Sequence, residues 1–413
     1  MRPPPPANRS LVPSLPTGVW TLQAGGLANA LGTGLAIPFL PIYLHSVRGM
    51  SLGLVGAVLA TQGLLQLVGC GLAGTIVDRL GGRLTLSVAL TLQAVAWGLF
   101  PLVHHPWQAV ALMALDGLGA AAYWPAQSVL LTRLTPAPRR HSAFALQRVT
   151  MNLGIGIGGL TGGLLARASD PGSFTLLFLL DMATFLVFAA VVRLVRDPGR
   201  PEHDTAERRP GYREVAADRV FARVFLLNAL IVAGGYALIS LVTPFGTDQA
   251  GVSERSIGLI WLVNTLAIVA FQMPISRLIE GRRRMLSIVA MGGIWAVAWL
   301  LVMAGGAWFD AAAATVVLAL ALGIFGIGEC LHGAVYGPLV ADLAPAQLQG
   351  RYFAISSMSW GLGMVIGPGI GGLVLQANPF ALWPLAAGCS LLVCVVALRV
   401  ERSLPASVRL TAA

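Results

Sequence analysis

The sequence predicts an all-α integral membrane protein in which twelve transmembrane helices form two pseudo-symmetric six-helix halves. Three observations carry that prediction: the composition, a one-sided distribution of arginine, and an internal repeat. Of 413 residues, 56% are hydrophobic and 11% charged, where a soluble domain carries about 25% charged residues. Twenty-seven basic and 17 acidic side chains cannot clothe a 43.1 kDa chain in water. Lipid is therefore the solvent over most of its length, as the mean hydropathy of +0.77 also indicates. All the basic residues are arginine; lysine is absent, which removes a P-loop nucleotide site and any Schiff-base cofactor.

The first stretch, MRPPPPANRSLVPSLP, cannot continue a helix through its prolines, so residues 1–17 read as a disordered cytoplasmic leader. A span needs about 20 mainly apolar residues. Six such runs lie at 18–44, 52–76, 84–104, 108–132, 142–166 and 173–195. Six more lie at 220–245, 255–279, 285–306, 311–338, 351–376 and 379–399. They define an N-terminal half (18–195), a cytoplasmic linker (196–219), a C-terminal half (220–399) and a cytoplasmic tail (400–413). No room remains for a soluble catalytic or ATP-hydrolysing domain.

With both termini placed in the cytoplasm, 23 arginines fall on the cytoplasmic side of these spans. Three (Arg48, Arg167, Arg255) fall outside and one, Arg148, within a span. This is a strong positive-inside asymmetry. It assigns the high pI of 10.4 to topology and leaves no nucleic-acid patch to explain. The four cysteines, Cys70, Cys330, Cys389 and Cys394, sit in apolar runs without metal-ligand spacing and read as packing residues.

The chain also repeats itself. Residues 115–167, shifted by 209, align without a gap on 324–376 with 15 identities in 53. Gly154, Gly158, Gly162 and Gly163 fall on Gly363, Gly367, Gly371 and Gly372. Two parallel six-helix halves around a central path are a known transporter architecture.

Between the second and third spans stands Gly74-Thr-Ile-Val-Asp78-Arg79-Leu-Gly81-Gly82-Arg83. Gly74 permits close helix approach, Gly81 or Gly82 supplies the turn, Asp78 accepts hydrogen bonds or pairs with arginine, and Arg79 and Arg83 anchor the cytoplasmic face. A degenerate second copy, Ser276 to Arg284 with Glu280 and Gly281, follows the eighth span. The pattern resembles the signature of the major facilitator superfamily. The eleventh span carries Gly363, Gly367-Pro368, Gly371 and Gly372, and the fifth carries Gly154, Gly158 and Gly162 with Gly159 in the proline place. Such glycine strips let two backbones meet, and they look like the antiporter motif of drug/proton antiporters, whose usual home is the fifth helix. Pro38 and Pro41 in the first span are similar to the first helix of the twelve-span drug-efflux subgroup. Where that subgroup often places an arginine in its fourth helix, this chain has Met113, so a proton relay through that arginine is not implied.

Charge at the bilayer centre costs at least about 2.5–3.5 kcal/mol, so intramembrane ionisable groups are functional candidates. Asp116, Arg148, Asp181, Glu329 and His332 qualify. Glu329, His332 and Tyr336 share one face of the tenth helix, and Glu329, near mid-span, is the candidate coupling acid. Arg148 lies roughly 9 Å into the fifth span by helical rise and is placed to pair with Glu329 across the cavity. The same arithmetic sets Asp116 roughly 15 Å from Arg148 in depth, and Asp181 is read as structural. The resemblance implies that Tyr123, Trp124, Asn152, Asn228, Tyr236, Asn264, Gln272 and Trp360 lie in cavity-lining helices. Together they predict a roomy, largely apolar pocket suited to amphipathic molecules.

The expectation is a monomeric, multi-pass transporter of the inner membrane, exporting small lipophilic or amphipathic compounds in exchange for protons. Its partners are the lipid bilayer, a small-molecule substrate and protons, with no cofactor, no metal and no enzymatic activity. A nutrient or metabolite carrier of the same fold and a non-transporting membrane sensor are the alternatives.

Overall fold

The computed structural model of the chain describes residues 14–50, 52–167, 170–196 and 211–411. Most of the leader and of the linker lies outside the described residues. Twelve long helices follow one another: α1 (Thr17–Ile42), α2 (Leu52–Leu80), α3 (Gly82–Leu99), α4 (Pro106–Leu134), α5 (Arg140–Leu165) and α6 (Pro171–Leu194). After the linker come α7 (Arg219–Asp248), α8 (Glu254–Leu278), α9 (Arg284–Trp308), α10 (Ala311–Leu343), α11 (Gln349–Ala377) and α12 (Leu382–Ser403). Several starts are fixed by carboxylate caps on otherwise unpaired amides. Asp170 accepts from Gly172 N–H, Asp218 from Val220 and Phe221 N–H, and Asp310 from Ala313 N–H.

Eleven of the twelve are long and apolar enough to cross a membrane by length and composition. The other, α5, carries Arg140, His141, Gln147, Arg148, Thr150 and Asn152 in its first half and six glycines in its second. Its neighbours explain that composition: α5 packs on α1 within its own half and on α8 and α10 of the other half, so its polar face has partners.

Each half has its own hydrophobic core. The N-terminal core centres on Tyr43, Trp97, Phe100, Phe174 and Phe178; the C-terminal core on Phe245, Trp295, Trp299, Phe325 and Trp383. The outer surface is leucine and valine, with Leu64, Val68 and Leu72 exposed in a row on α2 and Leu160 and Leu164 on α5. Such a surface would drive aggregation in water and suits contact with lipid. The interior instead buries Gln23, Asp116, Gln127, Asn228, Gln272, Glu329 and His332.

Two helices depart from regular winding. Around Pro38 and Pro41, α1 tightens into a 3-10 turn at Ile37–Phe39, and a π-turn at Tyr43–Val47 follows its end, because proline removes the ladder amides. In α7 a π-turn at Val232–Tyr236 is followed by a 3-10 turn at Leu238–Leu241. The halves meet through α2 against α11 and α5 against α8 and α10. Among the described residues, their polar cross-contacts lie at mid-depth or at the end bearing the arginine-rich turns.

Candidate functional site

At mid-depth Arg148 on α5 and Glu329 on α10 are in contact: Arg148 Nη2 donates to Glu329 Oε1 at 2.8 Å, with side chains 13% and 8% exposed. Asn264 Nδ2 on α8 donates to the other carboxylate oxygen at 3.1 Å. The guanidinium also lies over the Tyr236 ring, 5.4 Å from its centroid, a cation–π placement. The π-turn sets that ring in place. Gly235, within the turn, leaves the space that Trp295 occupies, and Trp295 in turn meets Tyr236 edge-on.

From Tyr236 a hydrogen-bonded chain runs through the C-terminal half. Tyr236 Oη lies 3.1 Å from His332 Nδ1, His332 Nε2 2.9 Å from Asn228 Oδ1, and Asn228 Nδ2 2.7 Å from Ser359 Oγ. Tyr336 Oη joins Ser359 at 3.2 Å and accepts from Ser356 Oγ at 2.9 Å. Since Asn228 uses its amide N–H on Ser359, its carbonyl must accept from His332. The imidazole is then the neutral Nε2–H form, with Nδ1 accepting from Tyr236. Asn152, by contrast, spends its Nδ2 on the Arg148 backbone carbonyl of its own helix.

Asp116 sits apart from Arg148, buried in the N-terminal half. Its oxygens accept from Gln62 Nε2 (2.6 Å), Trp97 Nε1 (3.1 Å) and Gln93 Nε2 (3.3 Å). Three neutral donors, and no cation among the described residues, satisfy it. It lines a cavity of about 220 Å³ together with Tyr123, Trp124 and the carboxamides Gln23, Asn29, Gln62, Gln66, Gln93 and Gln127. The wall is largely apolar by area, as expected, and a set of carboxamides, Gln147 also among them, is inset in it. The chamber extends from Gln23 to Ile37 along α1, toward the end away from the arginine-rich turns. Asp181 is fully buried behind it and bonded only within α6, to Thr184 at 3.4 Å, among the described residues.

At the arginine-rich end Asp78 closes one seam between the halves. Its oxygens accept from Gly350 N–H (2.7 Å), Arg351 N–H (3.3 Å) and Arg351 Nη1 (2.9 Å), so an α2 carboxylate caps the first turn of α11. Gly74 is needed there: a Cβ would meet Ala354 Cβ at 2.8 Å and Arg351 Cα at 2.9 Å. Gly81 takes φ 86°, a turn conformation that glycine adopts freely. Arg83 Nη2 donates to the Arg193 carbonyl, tying α3 to the end of α6, while Arg79 is exposed. Tyr212, leading a short linker helix (Tyr212–Ala217), donates its hydroxyl to the Gly71 carbonyl, and Arg351 lies over its ring. Burial pushes the Tyr212 hydroxyl above its ordinary range, which keeps it a donor. The second seam is formed by Glu280 with His141 (2.9 Å) and by Asp342 with both Arg140 (2.6 Å) and Arg284.

The glycine strips are backbone contacts. A Cβ on Gly154 would meet Ala30 Cβ at 2.6 Å, and Gly158 and Gly162 face the α1 carbonyls of Leu31 and Leu35. On α11, Gly363 faces Val232 and Ala233, Gly367 faces Ala233 O at 2.6 Å, and Gly371 faces Leu238. Gly372 faces open space, and the Pro368 side chain lies outside the described residues. Sequence reasoning passed over Ser356, Ser359, Gln62, Gln93 and Gln127, neutral residues whose signal was their presence in otherwise apolar spans. It also missed Gly350 and Arg351, the partners of Asp78. No group of His, Cys, Asp and Glu suited to a metal occurs among the described residues.

Comparison with known proteins places this architecture. A profile of the Major Facilitator Superfamily matches residues 23–250 and again 224–412. Multidrug resistance protein MdtH of Aeromonas salmonicida is 23% identical over 376 residues, 89% of this chain and 91% of that one. A Na(+), Li(+), K(+)/H(+) antiporter of Planococcus maritimus is 22% identical over 81% of this chain and 84% of its own. The crystal structure of the Escherichia coli fucose:proton symporter FucP superposes with a TM-score of 0.76 at 15% identity, covering 95% of this chain and 99% of that one. Duplicated halves, a bilayer-facing apolar surface and profile matches that together run from residue 23 to residue 412 have one reading: the chain belongs to the Major Facilitator Superfamily of multi-pass membrane transporters.

Proposed function

We propose that this transporter exports small lipophilic or amphipathic compounds by alternating access in exchange for protons. It works as a monomer in the inner membrane with its arginine-rich end in the cytoplasm. The observation that carries the reading is the buried Arg148–Glu329 pair, which joins the two halves at mid-depth. Breaking a buried ion pair by removing one charge costs about 3–5 kcal/mol. Inverting a two-state population from 99:1 to 1:99 takes about 5.5 kcal/mol. A proton on Glu329 therefore acts on the right scale to release Arg148 and loosen α5 from α10. Similarity to a multidrug resistance protein and to a cation/proton antiporter supports export and proton exchange.

One observation favours a second reading, uptake of a polar metabolite: the carboxamide-rich chamber beside Asp116 offers donors and acceptors that a purely lipophilic cargo would leave unpaired. The two readings separate in cells expressing the protein. Export predicts lower accumulation of a lipophilic fluorescent dye, cancelled by a protonophore and by Glu329→Gln. Faster uptake of a labelled polar solute with unchanged dye content would reject export. In proteoliposomes, substrate addition should move protons, and such movement would reject a non-transporting sensor.

A further inference from the structure

The C-terminal half ends on a surface that the transport path does not use. After α12 stops at Ser403, Leu404 and Val408 are buried in the C-terminal core. The chain then doubles back onto the α8–α9 turn. Thr411 N–H donates to the Arg282 carbonyl at 2.9 Å, Arg282 N–H to Thr411 Oγ1 at 3.1 Å, and Leu410 forms an antiparallel bridge with Arg283. This staple borders an open hollow of about 570 Å³ between that turn, the end of α12 and the tail.

Charge in the cavity is unbalanced. Arg283, Arg402 and Arg409 line it with one acid, Glu401. Glu401 is buried and takes the Arg283 Nε–H at 2.6 Å, so one positive charge is cancelled. Arg402 and Arg409 are exposed and have no carboxylate within ion-pair distance among the described residues. Arg409 is held in place, its Nε donating to the Leu404 carbonyl at 2.8 Å. Directly along α12 from the cavity, Leu398, Val395 and Leu391 are all exposed, on one face of the helix by their spacing. A cationic hollow above an apolar stripe matches one chemistry, an anionic head joined to a hydrocarbon tail.

We propose that this hollow binds an anionic phospholipid, with its phosphate among Arg402, Arg409 and the free Nη groups of Arg283 and an acyl chain along Leu398, Val395 and Leu391. Basic pockets beside membrane helices bind such head groups. The site is separate from the Arg148–Glu329 pair, so it stands or falls without reference to transport.

The test is thermal unfolding of the detergent-purified full chain with added phosphatidylglycerol or cardiolipin, against phosphatidylcholine and against inorganic phosphate. A specifically bound lipid raises Tm with concentration. Both anionic lipids should do so, phosphatidylcholine and phosphate should not, and Arg402→Gln and Arg409→Gln should each weaken the apparent affinity about fivefold. Arg193→Gln, an exposed arginine at the same end of the other half, should leave it unchanged. An equal response to phosphatidylcholine, or an undiminished response in both variants, overturns the proposal. Phosphate alone reproducing the shift also overturns it, in favour of a soluble-anion site. Native mass spectrometry of the wild-type chain and Arg402→Gln reads the same comparison without a thermal transition: retained anionic lipid on the variant at wild-type level rejects the site.

Discussion

The two halves share a scaffold and differ in how they hold charge. Glycines at equivalent positions, Gly154 with Gly363 and Gly158 with Gly367, bring α5 onto α1 and α11 onto α7 in the same manner. Inward polar positions also correspond. Tyr123 falls on His332, Gln127 on Tyr336, Gln147 on Ser356 and Thr150 on Ser359. The ionisable groups do not correspond. Asp116 falls on Phe325, Glu329 on Ala120 and Arg148 on Ser357. The N-terminal acid is satisfied by neutral amides of its own half, while the C-terminal acid is satisfied by an arginine borrowed across the interface. Duplication supplied the packing, and separate substitutions supplied the chemistry. Of these two acids, only Glu329 is bonded to a residue of the opposite half.

The contrast makes its largest demand at the cross-interface pair. Arg148→Ala should destabilise the joined state by about 3–5 kcal/mol by leaving Glu329 buried and unpaired. Arg148→Ala combined with Glu329→Ala should recover much of that loss. Disulfide trapping between the arginine-rich ends of α2 and α11 reads the joined population, and a double variant no better than the single would refute the coupling. Asp116→Asn should cost less, about 1–3 kcal/mol, since its new amide N–H faces the donors of Gln62 or Trp97. That loss should appear in thermal stability but not in the trapping assay; a change in trapping would erase the distinction between the two acids.

Two finer comparisons follow. Gly154→Ala and Gly363→Ala should each destabilise by about 1–3 kcal/mol through overpacking, whereas Gly372→Ala, facing open space, should be near neutral in a thermal melt. At the seams, Asp78→Asn removes an ion pair and weakens a helix cap, worth about 1–2 kcal/mol. Glu280→Gln alters a contact whose carboxylate is 37% exposed and should cost below about 1 kcal/mol. Equal effects of the two on accessibility of engineered cysteines at the arginine-rich end would mean that the seams are equivalent after all.

The spans were legible because apolar runs of the required length leave little else to be built, and 142–166 was read among them although α5 falls short of the others in apolar length and composition. Arg148 and Glu329 stood out because charge at lipid depth is rare and costly. The carboxamide chamber was not legible in the same way: Gln62, Gln93 and Gln127 carry no charge, and only the fold turns them toward one point. The docking of Asp78 on Gly350 joins residues 272 positions apart, and no local pattern announces a contact of that range. Pro38 and Pro41 were read only for their resemblance to an efflux subgroup, not for the break they make in α1, and the wide turn in α7 goes with Trp295 packed beside Gly235.

Asn228, midway along the chain from Tyr236 to Ser359, has a consequence for proton traffic. A carboxamide donates and accepts hydrogen bonds without passing a proton on, so the file of side chains beyond His332 conducts nothing. Under the proton exchange proposed above, a proton on Glu329 would be in a cul-de-sac, with no relay through Asn228 into the rest of the C-terminal half. Exchange across the bilayer would then depend on the halves rocking about the Arg148–Glu329 contact rather than on a fixed proton wire.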